Sequence, residues 1–148
     1  MSDRLNTIAI AADHAGFALK SRIAAHLKAG GYKVLDLGTH SEDRVDYPDY
    51  GHALAEAVTN GQAARGIGIC GSGIGISIAL NRHAAIRAAL CHDVTSAQLS
   101  RQHNDANVLC LGARLTGVEV ALECVDVFLK TEFEGGRHAE RLKKLGKC

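Results

Sequence analysis

Short apolar segments alternate along this chain with longer amphipathic segments, and this alternation restricts the fold more than any other feature. Five short segments are apolar almost throughout, at residues 7–12, 33–37, 65–70, 88–91 and 108–111. Such segments are typical of strands in a parallel sheet that is covered by helices on both faces. The pattern therefore predicts five parallel strands.

The segments between these strands have helical patterns. Residues 18–29, 52–58 and 76–80 are predicted as helices. The first stops at Gly30-Gly31 and the second stops at Asn60-Gly61. A glycine or asparagine directly after the last apolar position is a common helix stop signal. Each predicted helix thus connects two predicted strands.

The C-terminal part continues the same alternation. Thr116 and Glu119 have the spacing of a capping box, followed by apolar residues at positions 118, 122, 125 and 129, and a last helical segment is predicted around residues 137–147. Strand and helix alternation of this kind predicts an α/β chain with right-handed crossovers. We expect one domain over residues 1–148, a three-layer doubly wound Rossmann-like fold on a five-stranded parallel sheet.

Composition narrows the range of partners. The 148 residues have a formal net charge of +1, which gives no basic surplus for nucleic acid, and no apolar run approaches the length of a membrane span. The first residues lack the features of a signal peptide. Five cysteines without a CxxC motif are typical of free thiols in a reducing compartment. We expect a cytoplasmic protein that binds neither nucleic acid nor membrane.

Residues that follow the strands are the first candidates for function, because ligands of doubly wound sheets bind outside the carboxyl ends of the strands. Four segments lie there: Asp13-His14 after the first strand, a long loop with Asp46, Tyr47 and Pro48 after the second, residues 70–75 after the third, and Gly112 to Arg114 after the fifth.

Residues 70–75, CGSGIG, form a glycine-rich turn before a predicted helix. Alternating Gly71, Gly73 and Gly75 would expose backbone amides where the helix dipole favours an anion. The turn lacks the lysine of a P-loop, and a GxGxxG match that begins at Gly66 lies inside the strand, so it does not predict a dinucleotide site. The alternative is a tight turn that needs glycine only for packing.

Cys70 directly precedes this turn, and a helix N-terminus favours the thiolate form of a cysteine. It could therefore act as a nucleophile or as a base for proton transfer beside a carbonyl. In the second case the same amides and Ser72 would hold the oxygen charge that develops. Three of the other four cysteines, at positions 91, 110 and 124, fall within regular elements and are interpreted as buried core thiols.

The histidines form no HxH or HExxH motif, so we predict no metal site. His103 differs from the others, because it lies in the polar cluster RQHND at the end of a helix, and it is a candidate catalytic residue. Arg137 and Arg141 are four residues apart and share a helix face, which could clamp a phosphate or simply face water.

Five motifs resemble one known family, the type B ribose-5-phosphate isomerases, which also include allose- and galactose-6-phosphate isomerases. The motifs are ADHAG around Asp13, DYPDY around Tyr47, ICGSGIGISIALNR at 69–82, SAQLSRQHNDANVLCLGAR at 96–114, and EGGRH at 134–138. A branch of the family has a glutamate base at the position of Ile76. Cys70 therefore places this chain in the cysteine branch.

The resemblance implies an aldose–ketose isomerase that interconverts D-ribose 5-phosphate and D-ribulose 5-phosphate without metal or organic cofactor. It implies that Cys70 transfers the proton and that His103 opens the furanose ring. The substrate-binding positions it implies are Gly71, Ser72, Gly73 and Gly75 for the enediolate oxygens, Asp13 and Asn104 for hydroxyls, Tyr47 for the pocket wall, and His14, Arg114, Arg137 and Arg141 for the phosphate.

The same resemblance implies a homodimer or homotetramer whose sites contain residues from both chains of a dimer. Two alternatives remain open at this point. The substrate could be another sugar phosphate, such as allose 6-phosphate, galactose 6-phosphate or a tetrose phosphate. The protein could also bind a sugar phosphate without catalysing a reaction.

Overall fold

A computed structural model describes residues 2–146, which form a parallel five-stranded sheet in the order β2-β1-β3-β5-β4. The strands are β1 (Thr7–Ala12), β2 (Lys33–Asp36), β3 (Arg65–Cys70), β4 (Ala88–Leu90) and β5 (Val108–Gly112). The helices are α1 (Ser2–Asn6), α2 (Phe17–Ala29), α3 (Tyr47–Thr59), α4 (Ile74–Leu80), α5 (Val94–Asn104), α6 (Val118–Lys130) and α7 (Arg137–Leu145). The five predicted parallel strands are confirmed.

Each face of the sheet has its own hydrophobic core, because successive strand residues point to opposite faces. Ile8 and Ile10 of β1 belong to one core, with side chains of α2, α5 and α6. Ala9 and Ala11 belong to the other core, with side chains of α3 and α4. Helices therefore cover both faces, and the predicted three-layer doubly wound fold is confirmed.

Strand β3 has glycine where helices lie close to it. A Cβ atom at Gly66 would lie 2.8 Å from Leu54 Cδ1, and one at Gly68 would lie 3.1 Å from Leu80 Cδ1. Both distances are too short for ordinary carbon contacts, so larger residues here would push α3 and α4 away. Close helix–strand packing fixes the position of the turn between β3 and α4.

Several helix boundaries differ from the prediction. Helix α3 begins at Tyr47 rather than near residue 52, and Pro48 fits its first turn because the amide missing from proline would have no helical partner there. Helix α6 begins after Gly117, which means that Thr116 is not its N-cap. Helix α1 was not predicted. Position 147 of the predicted last helix lies outside the described residues.

Strand order reverses between β1 and β3, which are neighbours although β2 lies between them in sequence. Connections from these two strands leave on opposite faces, which opens a crevice at their carboxyl ends. The predicted position of the ligand cleft is thus a real feature of the topology. None of the described helices combines the length and apolar character needed to cross a membrane.

Candidate active site

A pocket of about 590 Å³ opens at the carboxyl ends of β1, β3 and β5. Most of its polar lining comes from residues that the sequence singled out, namely Asp13, Tyr47, Cys70, Gly71, Ser72, Gly75 and Arg114. Its apolar lining consists of Ile74, Ile78 and Leu115. The structure therefore brings together segments that are up to a hundred residues apart in the chain.

The glycine-rich turn packs directly against the turn that follows β5. A Cβ atom at Gly112 would lie 2.5 Å from the Ser72 carbonyl oxygen. The amide of Ala113 donates to the Cys70 carbonyl at 2.9 Å, and the amide of Arg114 donates to the Gly71 carbonyl at 2.9 Å. Two hydrogen bonds and one glycine contact thus hold the turn against β5.

Gly73 is required by its own backbone conformation. Its φ of 78° lies in the left-handed region, and a Cβ atom there would lie 2.5 Å from Leu90 Cδ1 and 2.9 Å from the Leu111 backbone. This left-handed residue reverses the chain direction between β3 and α4. As a result, the backbone amide of Gly73 points back at the end of the strand.

The sulfur of Cys70 accepts a hydrogen bond from that amide. The N–H of Gly73 donates to Cys70 Sγ over 3.1 Å, and the residue is only 4% exposed. An N–H donor at this distance stabilises negative charge on sulfur, because a hydrogen bond to the charged form of a group favours that form. Cys70 therefore lies at the floor of the pocket with a donor prepared for its thiolate.

The other three described cysteines are buried away from the pocket. Burial raises the pKa of the Cys91 and Cys110 thiols, and it raises the pKa of Cys124 to about 11. None of the three lines the pocket. Their prediction as core thiols is confirmed by their burial, and all four described cysteines are free.

Asp13 also lines the pocket, directly after the end of β1. The carboxylate Oδ1 of Asp13 accepts a hydrogen bond from the Gly16 amide at 3.1 Å. The backbone amide of Asp13 donates a hydrogen bond to the Ile69 carbonyl at 3.2 Å. The turn is tight because a Cβ at Gly16 would lie 2.8 Å from that same Ile69 oxygen. Asp13 is buried and fixed relative to β3.

Tyr47 covers the glycine-rich turn from the start of α3. A Cβ atom at Gly75 would lie 2.5 Å from the Tyr47 ring, so glycine at 75 allows the ring to lie on the backbone. Ser72 Oγ accepts the amide of Ile74 at 3.2 Å, which leaves the serine side chain at the pocket surface. Tyr47 and Ser72 thus define two sides of the opening.

Arg114 lines the pocket, and His14 directly follows the pocket residue Asp13 in the sequence. The Arg114 guanidinium lies beside Gly71, with Nη1 3.4 Å from the position of a Cβ there. His14 Nδ1 lies 3.2 Å from both the backbone oxygen and the amide of Val45, in the loop after β2. His14 is therefore held near the pocket, although it does not line it.

An ion pair between the buried Lys20 and the exposed Asp36 lies at the start of the loop that carries Val45. Lys20, 2% exposed, donates to both carboxylate oxygens of Asp36, at 2.8 and 2.6 Å, and Asp36 also accepts the Gly38 amide. Burial raises the pKa of the Asp36 carboxyl, but the bonds from Lys20 and Gly38 outweigh burial and lower the pKa overall. The loop thus leaves β2 in a fixed direction.

His103, Asn104, Arg137 and Arg141 do not line the pocket. His103 and Asn104 are the last residues of α5, which precedes β5, so they lie near the beginning of that strand. Cys70 pairs with Gly112 at its end. Five strand residues span roughly 16 Å at about 3.3 Å each. Within one chain, these four predicted site residues therefore lie near the amino ends of the strands, whereas Cys70 lies at the carboxyl ends.

His103 belongs to a second cluster, formed with the start of α7. Its ring stacks on that of His138 with centroids 4.5 Å apart and an angle of 16° between the planes. Burial lowers the pKa of His138, and the neighbouring charges of Arg137, His103 and Arg141 lower it further. His103, Arg137 and Arg141 are thus near one another, as the sequence predicted for the arginine pair.

His138 is a residue that the sequence reasoning missed. It lies between Arg137 and Arg141, yet it is 5% exposed while both arginines are exposed. The available signal was the motif EGGRH, in which a histidine directly after Arg137 must face a different side of the helix. Two other histidines, His52 and His83, are hydrogen-bonded to each other at 2.7 Å.

The geometry of the pocket suits proton transfer beside a carbonyl group. It places a sulfur base at the floor, a carboxylate on one wall, a glycine-rich turn of backbone amides, and a guanidinium at the edge. Fixed N–H donors of this kind stabilise an oxygen on which negative charge develops. The second cluster adds two more guanidinium groups and two imidazoles, at a distance.

Comparison with known proteins agrees with this arrangement. The profile of the Ribose/Galactose Isomerase family matches residues 8–145. Ribose-5-phosphate isomerase B of Escherichia coli is 50% identical over 141 residues, which cover 95% of both chains. D-erythrulose-4-phosphate isomerase of Pectobacterium atrosepticum is 43% identical over 141 residues, covering 95% of this chain and 93% of that protein.

A solved structure gives the same result for the fold. Ribose-5-phosphate isomerase B of Clostridium thermocellum superimposes with a TM-score of 0.94 at 54% identity, covering 95% of each chain. These matches span nearly the whole of this chain and nearly the whole of each relative. The protein is a sugar-phosphate isomerase, and its chain belongs to the ribose/galactose isomerase family.

Proposed function

We propose that this protein interconverts D-ribose 5-phosphate and D-ribulose 5-phosphate, with Cys70 as the base. The observation that carries the proposal is the amide of Gly73, which donates to Cys70 Sγ at the floor of the pocket. The relatives named ribose-5-phosphate isomerase B support the choice of a pentose phosphate.

The proposed chemistry is a proton transfer between two neighbouring carbons. The Cys70 thiolate takes the proton from C2 of the open-chain aldose, and the C1 carbonyl oxygen becomes an enediolate oxygen. Amides of Gly71, Gly73 and Gly75, with Ser72, hold that charge. The thiol then returns its proton to C1 while the hydroxyl proton moves from O2 to O1. Electrons are redistributed only within the substrate, so the step needs neither metal nor organic cofactor.

The remaining residues are proposed to bind and open the sugar. His103 donates a proton to the ring oxygen, Asp13 and Asn104 bind hydroxyl groups, and Tyr47 lines the pocket. The phosphate is assigned to the cationic group of His14, Arg114, Arg137 and Arg141. A dianionic phosphate matches such a group, because guanidinium groups bind phosphate with paired hydrogen bonds.

This assignment requires two chains. His103 and the two arginines of α7 are about the length of a strand away from Cys70 in the same chain. We therefore propose that a second copy supplies them in a homodimer, or in a homotetramer built from such dimers. Exposed apolar side chains support a partner at the pocket: Ile74 is 50%, Ile78 51% and Leu115 63% exposed. The free thiols also fit our expectation of a cytoplasmic protein.

Replacing Cys70 with alanine should abolish turnover while the fold stays intact. General acid–base groups contribute about 10²–10⁴-fold to rate, and we expect a loss of kcat of that order on ribose 5-phosphate. Isothermal titration calorimetry should still detect substrate binding. The matched control is Cys91→Ala, which removes an equally buried thiol outside the pocket. Near-normal turnover by Cys70→Ala would reject the assignment of the base.

The two-chain site is tested by mixing two inactive variants. One chain carries Cys70→Ala, and the other carries Arg137→Ala together with Arg141→Ala. After dissociation and random re-pairing, mixed dimers contain one site with no substitution, so about one quarter of wild-type activity should return. The control mixes each variant with itself. If the site lies within one chain, the mixture will be no more active than the average of its components.

The role of His103 in ring opening is tested with two substrates. A tetrose 4-phosphate has no free oxygen at C4 and cannot close a furanose ring, so it needs no ring opening. His103→Ala should lower kcat/KM for ribose 5-phosphate by about 10²-fold or more and affect a tetrose phosphate much less. His26→Ala, at a surface pair with Asp126, is the control.

The same assay distinguishes the alternative substrates. Wild-type kcat/KM should be highest for the five-carbon phosphate among four-, five- and six-carbon substrates. Equal losses for ribose 5-phosphate and the tetrose phosphate in His103→Ala would contradict a role in ring opening. A preference for the tetrose phosphate would instead place this chain with the relative named D-erythrulose-4-phosphate isomerase.

A further inference from the structure

Three side chains with metal-binding atoms converge at the second cluster. His103, Glu134 and His138 each offer one such atom, and these atoms all lie within 4.8 Å of one another. Two different parts of the chain provide them: His103 lies in the last turn of α5, whereas Glu134 and His138 flank the start of α7. Two imidazoles and one carboxylate make a ligand set found in catalytic zinc sites.

The position of Glu134 is fixed by the backbone. Its amide donates to the Gln102 carbonyl at 3.1 Å, which ties the segment before α7 to the last turn of α5, next to His103. The amide of His138 donates to the Gly135 carbonyl at 3.1 Å, which fixes the first turn of α7. The approach of the three side chains is thus built into the chain path.

An unsatisfied nitrogen points to a ligand. Nε2 of His138 is buried and has no hydrogen-bond partner among the described residues, and His138 as a whole is only 5% exposed. Buried polar atoms are nearly always hydrogen-bonded, so an unpaired one requires a reason. The nearest carboxylate oxygen, Glu134 Oε1, is 3.6 Å away, which is too far for a hydrogen bond.

That separation is close to the one expected for two ligands of one ion. Tetrahedral zinc with bonds of about 2.0–2.1 Å has ligand atoms roughly 3.4 Å apart. The rings of His103 and His138 lie nearly parallel, so at least one must turn before both lone pairs meet at one point. Rotation about the terminal torsion of histidine is soft, and the partly exposed His103 has room for it.

We propose that His103, Glu134 and His138 bind a divalent transition-metal ion of the zinc class. Imidazole ligands favour zinc over magnesium or calcium, which prefer oxygen ligands. Glu134 supplies the single negative charge of the site. Arg137 and Arg141 lie beside His138 and oppose a cation, so the affinity should be moderate and should rise when an anion neutralises the arginines.

The expected consequence for activity is inhibition, and this part rests on the proposed function. An imidazole that donates its lone pair to a metal cannot exchange a proton with the sugar ring oxygen. The site would therefore make ring opening sensitive to free zinc, and a chelator should reverse the effect. Metal binding itself does not depend on the identity of the substrate.

Binding is measured first, by calorimetric titration of the whole protein with zinc chloride. We expect about one ion per chain at this site, with affinity at least about tenfold weaker in Glu134→Gln, because even an outer-shell partner is worth about 10–100-fold in metal affinity. Glu132→Gln removes an exposed carboxylate two residues away and is the matched control. Glu134 has no proposed part in turnover, so Glu134→Gln should retain basal activity.

Cobalt distinguishes this site from the Cys70 thiol. Cobalt(II) held by nitrogen and oxygen gives visible bands without the thiolate-to-cobalt charge-transfer band, and we expect that spectrum to disappear in Glu134→Gln. Equal zinc affinity in Glu134→Gln and Glu132→Gln would overturn the proposal, as would a charge-transfer band as the main signal. Loss of isomerase activity on ribose 5-phosphate in metal-free protein would instead count against the proposed function.

Discussion

Close backbone contact between two turns, one after β3 and one after β5, is the constraint on which the candidate active site depends. Gly112 leaves the Ser72 carbonyl room that a Cβ atom would occupy, and Gly73 reverses the chain in a conformation that other residues rarely adopt. Two backbone hydrogen bonds then close the contact. Cys70 lies beneath it, with an amide aimed at its sulfur. The Cys70 sulfur is thus positioned by backbone rather than by a neighbouring side chain, and this suits the role of base that we propose for it.

The length of the sheet determines the rest of the account. The five residues of β5 separate the end of the sheet that holds Cys70 from the end that holds His103. No side chain can span that separation of roughly 16 Å. A second copy can bring one chain's cluster to the other chain's pocket, which the exposed apolar side chains around the pocket also favour. Oligomerisation would then be part of the catalytic apparatus. The same cluster carries an unsatisfied histidine nitrogen, which connects the proposed ring opening with sensitivity to metal.

Much of the fold could be predicted from the sequence because local and long-range signals agree. Apolar segments bounded by glycine gave the five strands, and the alternation with helices gave the layers. Tyr47 and Pro48 were predicted as loop because proline and aspartate near a strand end are typical of turns, yet proline is equally suited to a first helical turn. Cys70 could be separated from the other cysteines by its position. His138 was missed: the motif EGGRH places it on a different side of α7 from Arg137, but its burial depends on the packing of α7 against α5, which no local pattern encodes.

Hydrogen exchange with solvent during turnover is the most direct test of the central claim, which is proton transfer by a thiol base. The wild-type protein would isomerise ribose 5-phosphate in deuterium oxide, with products followed by proton and deuterium NMR. A base that takes the C2 proton can exchange it with solvent before returning it to C1, so deuterium should appear at C1 of ribulose 5-phosphate. Complete retention of the original hydrogen in the product would indicate direct hydride transfer and contradict the account. Tight binding with neither turnover nor exchange would show a sugar-phosphate-binding protein instead of an enzyme.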